Sequence, residues 1–325
     1  MVDDWQIVVV GAGTMGAGIA QVYASNGYQT TVVDIDAGSL ARAEKAIANS
    51  TALLVKEQLA TSDDAERAKG LIAYATTEQL DRILPQADLV VESVFEDPTV
   101  KKDTFAKLNQ YCSKYCILCS NTSASNIFDI AEVAHPERML ITHWFNPPFI
   151  MDLVEIVCGP KTSPQTVETV VSLHERMGKK PALIRQYVPG FIVNRLATAL
   201  MREAGYMVSQ GWTTPQDIDN AIKATSGVRY AFEGPMALYD IVGWDLIQRV
   251  ALDLHHSLCN DVEGGNPLGA ELVAKGHLGL KSGKGAYDYA GIDPTDYMNA
   301  RSGKIIKMAR AIREMGASSG PVPSD

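Results

Sequence analysis

Two residues twelve positions apart carry the most reactive chemistry in this sequence. His143 stands in Thr142-His143-Trp144-Phe145-Asn146-Pro147-Pro148, at the end of an apolar run, and Glu155 stands among apolar neighbours in Leu153-Val154-Glu155-Ile156-Val157. A lone carboxylate inside an apolar strand is costly to bury, so Glu155 requires a partner. An imidazole fits: the pair would raise the basicity of His143 and fix its orientation, which suits proton abstraction from an alcohol during hydride transfer. Spacing alone leaves the plainer readings open, a hydrogen-bonded histidine at a strand end and a solvated glutamate on a sheet edge.

A second constellation lies at the start of the chain. Gly11-Ala12-Gly13-Thr14-Met15-Gly16 follows the apolar run 5–10 and opens a helical pattern at Met15, Ile19, Val22 and Tyr23. Gly-x-Gly-x-x-Gly between a strand and a helix points to a dinucleotide rather than to a plain glycine-rich turn. Gly11 is expected to make the tight turn, Gly13 to admit the pyrophosphate, and Gly16 to let helix and strand pack closely. Thr14 and Met15 belong to the same cofactor loop, where free backbone N–H groups at the helix start favour negative charge. Asp34 ends the next strand-like run, and no Arg or Lys follows until Arg42. A carboxylate there accepts hydrogen bonds from ribose hydroxyls and repels a 2′-phosphate, so the expected cofactor is NAD rather than NADP. The further glycine-rich signals of an FAD enzyme are absent.

These residues need a sheet to place them. Strand-like runs at 5–10, 29–34, 87–94, 116–120, 139–144, 153–158 and 181–184 alternate with helical segments such as 100–111 and 163–177. That alternation predicts a parallel, doubly wound α/β sheet of Rossmann type, with ligands at the strand C-termini where His143 falls. Residues 39–75 read as a long helix and a return helix. The pattern changes at Val188-Pro189-Gly190. Beyond it, helical stretches at 191–210, 214–224, 236–259 and 297–315 predict a second, all-helical domain, with 1–187 as the NAD-binding domain and 188–325 for substrate and dimerisation. The tail 316–325 is expected to be disordered.

Composition narrows the function classes. The 325 residues carry a net charge of −9 and no basic stripe, which argues against a nucleic-acid partner. No apolar run approaches the ~20 residues of a membrane span. The acidic start reads as neither a signal nor a transit peptide, so a cytoplasmic protein is expected. Cys112, Cys116 and Cys119 lack a zinc spacing and read as reduced, buried thiols; no metal is expected.

The chain resembles the 3-hydroxyacyl-CoA dehydrogenases over nearly its whole length. The landmarks are residues 11–16, Ser120-Asn121-Thr122-Ser123, His143 to Pro147, Leu153-Val154-Glu155, and Pro189-Gly190-Phe191-Ile192-Val193-Asn194-Arg195. The resemblance implies that His143 is the general base toward a 3-hydroxyl and Glu155 its orienting carboxylate. It implies that Ser123 and Asn194 hydrogen-bond the reacting oxygen or the imidazole. Glu96 and Lys101 match positions that contact the cofactor ribose, and Asn121 and Asn146 match positions near the nicotinamide. Without it, residues 121–123 also read as a helix cap and Asn194 as an exposed helix residue.

Two departures bear on the substrate. Trp144 replaces the first Phe of the family's usual His-Phe-Phe-Asn-Pro, and Ser226-Gly227-Val228-Arg229-Tyr230-Ala231-Phe232 replaces its usual Pro-Met-Gly-Pro turn. The latter is more like relatives that act on free hydroxy acids or carnitine, and Pro147-Pro148 with Met236-Ala237-Leu238 resembles a branch acting on pyridine carboxylates. Arg229 would then hold a carboxylate in its fork, although a plain surface arginine is the simpler reading. The leading expectation is an L-3-hydroxyacyl-CoA substrate. The alternatives are a small free hydroxy acid or hydroxymethyl carboxylate, and, in another class, an NAD-binding structural protein without catalysis. The apolar helices past 188 predict a homodimer.

Overall fold

Eight strands form one sheet in the computed structural model, which describes residues 4–260 and 266–315. They are β1 (Gln6–Val10), β2 (Gln29–Asp34), β3 (Ile72–Thr76), β4 (Leu89–Glu92), β5 (Ile117–Ser120), β6 (Met139–Trp144), β7 (Leu153–Cys158) and β8 (Lys180–Ile184), in the order β3-β2-β1-β4-β5-β6-β7-β8. Helices α1 (Thr14–Ser25), α2 (Ala37–Lys56), α3 (Ser62–Gly70), α4 (Leu80–Ile83), α5 (Pro98–Tyr111), α6 (Ile127–Ile130) and α7 (Pro164–Arg176) join them. The order turns at β1 and β4, as in a Rossmann-type doubly wound sheet, and this places the ends of those two strands at the crevice where ligands bind. Alternate residues of one strand feed opposite cores. Ile7, Val9, Leu89 and Val91 pack on one face, and Val8, Val10, Val90 and Leu118 on the other. Burial on both faces explains the unbroken apolar runs.

The structure corrects two expectations here. The sheet is not wholly parallel, because β7 runs antiparallel to β6, with β8 parallel to β7. The connection 145–152 is shorter than the dozen or more residues a parallel crossover needs, so the chain must turn back. Residues 39–75 are not only a helix pair: after α3 the chain forms β3 at the sheet edge. Its half-exposed Ile-Ala-Tyr-Ala-Thr lacks the apolar run of an inner strand.

The chain divides into two compact units between Arg195 and Leu196. The reason is local. Phe191 is buried in the core of the first unit, and the next two N–H groups bond inside it.

The second unit is helical: most of α8 (Val193–Ser209), then α9 (Pro215–Ala224), α10 (Ser226–Arg229), α11 (Pro235–Val242), α12 (Trp244–Leu254), α13 (Pro267–Ala274) and α14 (Pro294–Glu314). The stretch 236–259, read as one helix, breaks at Gly243, whose φ of 97° suits only glycine. Among the described residues of this unit, only Cys259 and Ile306 have buried apolar side chains. The tail 316–325 lies outside the described residues.

Candidate active site

The glycine loop sits where β1 meets α1. Gly11 has φ of 110°, and a Cβ there would stand 2.3 Å from the Ser93 carbonyl oxygen, so β4 approaches too closely for any side chain. A Cβ at Gly16 would lie 1.8 Å from the Gly11 oxygen, whereas nothing stands within 4 Å of one at Gly13. Gly13 is itself the N-cap of α1 and has no side chain to cap the first N–H groups of that helix. Asp34 ties the loop from the end of β2: its Oδ2 accepts from Ala12 N at 2.7 Å and its Oδ1 from Asp36 N at 3.1 Å. A cavity of about 660 Å³ opens here, lined by the loop with Asp34, Glu96, Asn121 and Ser123 among others. Open backbone at Gly13, a helix start and a carboxylate lining the cavity at the end of β2 fit a dinucleotide.

His143 and Glu155 are direct cross-strand partners in the antiparallel β6–β7 pair. His143 Nδ1 lies 2.7 Å from Glu155 Oε2, and Glu155 is fully buried. The other carboxylate oxygen, Oε1, accepts from Ile192 N at 2.9 Å and Val193 N at 2.8 Å, at the start of α8. Two successive amides at a helix N-terminus thus hold the second carboxylate oxygen. Phe191, with φ of 51° in the left-handed region, turns the chain so that these amides meet the carboxylate. Its ring packs edge-on against the His143 imidazole at 5.4 Å, and Phe145 covers another side at 4.6 Å. With Nδ1 committed to Glu155, Nε2 is the nitrogen left for proton transfer.

Beside the cavity lies a buried ionic network. Lys101, 1% exposed, donates to Glu92 at 2.9 and 3.1 Å and pairs with Glu96 at 3.3 Å. Glu92 also accepts from Ser120 Oγ at 2.5 Å and Val94 N at 2.9 Å. Glu96 accepts from Thr122 Oγ1 and from Ser125 N. Burial opposes ionisation of Glu96, but these bonds and the Lys101 ammonium hold its carboxyl below the usual range. Glu96 therefore lines the cavity as an anion, while the Lys101 ammonium turns inward to two carboxylates. Glu92 was not among the expected residues. Its signal was a carboxylate ending the apolar run Leu89–Val91, in register with Ser120.

The remaining expected residues are placed as follows. Asn121 bridges strand ends, its Oδ1 accepting from Trp144 N at 2.9 Å and its Nδ2 donating to Ser93 Oγ at 3.3 Å. Asn194 Nδ2 donates to the Ser123 carbonyl at 3.3 Å, so these two residues are brought together. Thr14 and Met15 line the cavity with Gly11 and Gly13, whereas Gly16 packs behind the loop. Asn146 is exposed just past β6, before a cis bond to Pro147. Arg229 is exposed at the end of α10 in the second unit.

Comparison with known proteins identifies the family. Residues 6–187 match the model of the 3-hydroxyacyl-CoA dehydrogenase NAD-binding domain, and residues 190–289 match that of its C-terminal domain. The chain belongs to the 3-hydroxyacyl-CoA dehydrogenase family and is an NAD-dependent dehydrogenase acting on the CH–OH group. It is 32% identical to the 5-formyl-3-hydroxy-2-methylpyridine 4-carboxylate 5-dehydrogenase of Mesorhizobium japonicum, over 94% of this chain and 97% of that one. It is 34% identical to human mitochondrial hydroxyacyl-coenzyme A dehydrogenase, over 87% and 90%. Among solved structures, an NAD+-dependent 5-dehydrogenase of that pyridine carboxylic acid aligns at a TM-score of 0.85, with 31% identity over 95% and 99%. The (S)-3-hydroxybutyryl-CoA dehydrogenase of Ralstonia eutropha aligns at 0.73, with 31% identity over 88% and 99%.

Proposed function

We propose that this enzyme oxidises the 3-hydroxyl of an L-3-hydroxyacyl-CoA to the 3-keto form, with His143 as general base. The observation that carries this reading is the 2.7 Å bond from His143 Nδ1 to a Glu155 carboxylate whose other oxygen already holds two amides. Glu155 is thereby committed to accepting, which fixes the imidazole tautomer and stabilises the cation formed when Nε2 takes the hydroxyl proton. Bound NAD+ supplies the hydride acceptor. Ser123 and Asn194 orient the reacting oxygen. Asn121 and Asn146 serve the nicotinamide end, Asp34 and Glu96 the riboses, and Lys101 acts on the cofactor by fixing Glu96.

A second reading keeps the same chemistry on a small free hydroxy acid or pyridine hydroxymethyl carboxylate, with Arg229 gripping the carboxylate. The higher structural likeness to the pyridine-carboxylate enzyme favours it. The intact dyad argues against a protein that only binds NAD. The deciding assay follows NAD+ reduction with 3-hydroxybutyryl-CoA against free 3-hydroxy acids and a pyridine hydroxymethyl carboxylate. Turnover of an acid but not of the thioester would move the assignment to the second reading, and Arg229→Ala should then lower that turnover. In either case His143→Ala should cut kcat by about 10³-fold while NADH still binds. Wild-type turnover in that variant would refute the base assignment.

We also infer a homodimer through the second unit, whose apolar side chains lie largely exposed in the single chain. A cytoplasmic location is in keeping with five unpaired cysteines, as in a reducing compartment. No described helix is long and apolar enough to cross a membrane.

A further inference from the structure

Lys179 stands one residue before β8 and far from His143 in sequence, yet its ammonium reaches the connection that follows His143. The side chain is buried. Its Nζ donates to the carbonyls of Pro148 at 2.7 Å and Met151 at 2.8 Å, and it lies 5.5 Å from the centre of the Trp144 ring. The connection 145–152 is thus gathered around one cation.

The same connection touches the cofactor helix. A Cβ at Gly18 of α1 would stand 2.9 Å from Pro148 Cδ, so Pro148 lies directly on the helix that begins at the glycine loop. Tyr23, also on α1, meets the Trp144 ring edge-on at 5.8 Å, and His174 packs on that ring at 5.2 Å. Trp144 and His143 are neighbours on β6, so their side chains leave opposite faces of the sheet. One face carries the base; the other is wedged between α1 and the Lys179 ammonium. Trp144 is also where this chain departs from the family's usual Phe.

We propose that Lys179 is a positioning residue. By clamping Pro148, Met151 and Trp144 against α1, it sets the separation between the cofactor loop and the His143 end of β6. This rests on the reading of His143 as base and residues 11–16 as the cofactor loop. Hydride transfer is steep in this separation, since a misplacement of about 1 Å can cost roughly a hundredfold. A desolvated cation over an indole face, with two carbonyls beneath it, makes a stiff clamp.

The test is Lys179→Met, which keeps the apolar stem and removes the ammonium. The substrate is 3-hydroxybutyryl-CoA and its 3-deuterated form, or the deuterated acid if the wild type oxidises only an acid. We expect kcat to fall at least tenfold, KM for substrate and NAD+ to stay within threefold, and the deuterium isotope effect on kcat to rise. A destabilised but correctly arranged enzyme would leave that isotope effect unchanged. Wild-type kcat and isotope effect in the folded variant would overturn the proposal. Should Lys179→Met fail to fold, Trp144→Phe carries the test: a roughly threefold lower kcat with a raised isotope effect supports the clamp, and wild-type values overturn it. His143→Ala separates the two readings. If it is inactive while Lys179→Met behaves as wild type, only the clamp fails; if it retains full turnover, the base assignment fails.

Discussion

The two units of this chain solve burial in opposite ways. In the first, the strands are covered on both faces, and even Lys101, Glu92, Glu155 and His174 are buried among partners. In the second, large apolar side chains stand in solvent: Ile241 is 70% exposed, Met236 63% and Trp212 61%. On α12, Leu246, Val250 and Leu254 form an exposed stripe at helical spacing. An amphipathic helix gains most of its stability by packing that stripe. The first unit therefore completes its core within one chain, whereas the second presents a surface of the kind that another subunit covers.

The sharpest way to break this contrast lies in the first unit's tight fit. Gly16→Ala forces a methyl into the Gly11 carbonyl, and NADH affinity should fall more than a hundredfold by fluorescence titration. Unchanged affinity would mean that the loop is not fitted as described. In the second unit, Leu246→Glu with Val250→Glu should convert a dimer to a monomer in sedimentation at micromolar concentration, with NADH affinity held within about twofold. Truly solvated positions would shift stability by only about 0.5 kcal/mol, so an unchanged mass and melting temperature would place the dimer contact elsewhere.

Smaller effects sharpen the picture of the first unit. Asp34→Ser removes charge-assisted bonds worth about 1.5–3 kcal/mol, so NADH should bind ten- to a hundredfold more weakly, and preference over NADPH should shrink. The slightest effect concerns His174, whose pKa burial lowers from 6.5 to about 4. Its unfolded form binds a proton that the folded form refuses. The stabilisation is therefore complete above pH 6.5 and is lost as pH falls toward 4, by about 2 kcal/mol at pH 5. Urea midpoints at pH 7 and 5 should converge in His174→Phe; an equal loss in both proteins would assign the acid sensitivity elsewhere.

Much of the first unit was legible because its strands are continuous apolar runs and its loop is a glycine string in a fixed setting. His143 and Glu155 stood out because each sat where an apolar residue was expected. Other features were hidden for physical reasons. The edge strand β3 buries little and so lacks an apolar signature. The direction of β7 depends on the length of a connection rather than on any residue type. Glu92 and Lys101 look like a strand end and a helix face until the fold brings them within 2.9 Å. The break at Gly243 was readable, since glycine within a helical pattern signals a possible stop.

The amides of Ile192 and Val193 have a consequence for inheritance. They lie beyond the switch from mixed to helical sequence, yet they complete the carboxylate behind His143. Because both donors are main-chain groups within a motif that the family shares, a chimera exchanging the helical half with that of a relative should keep its dyad wired wherever the crossover falls between 187 and 195. A crossover at 187 would bring in the same two backbone donors from the relative, so the recombinant would exchange its helical surface while the carboxylate behind His143 stayed held as before.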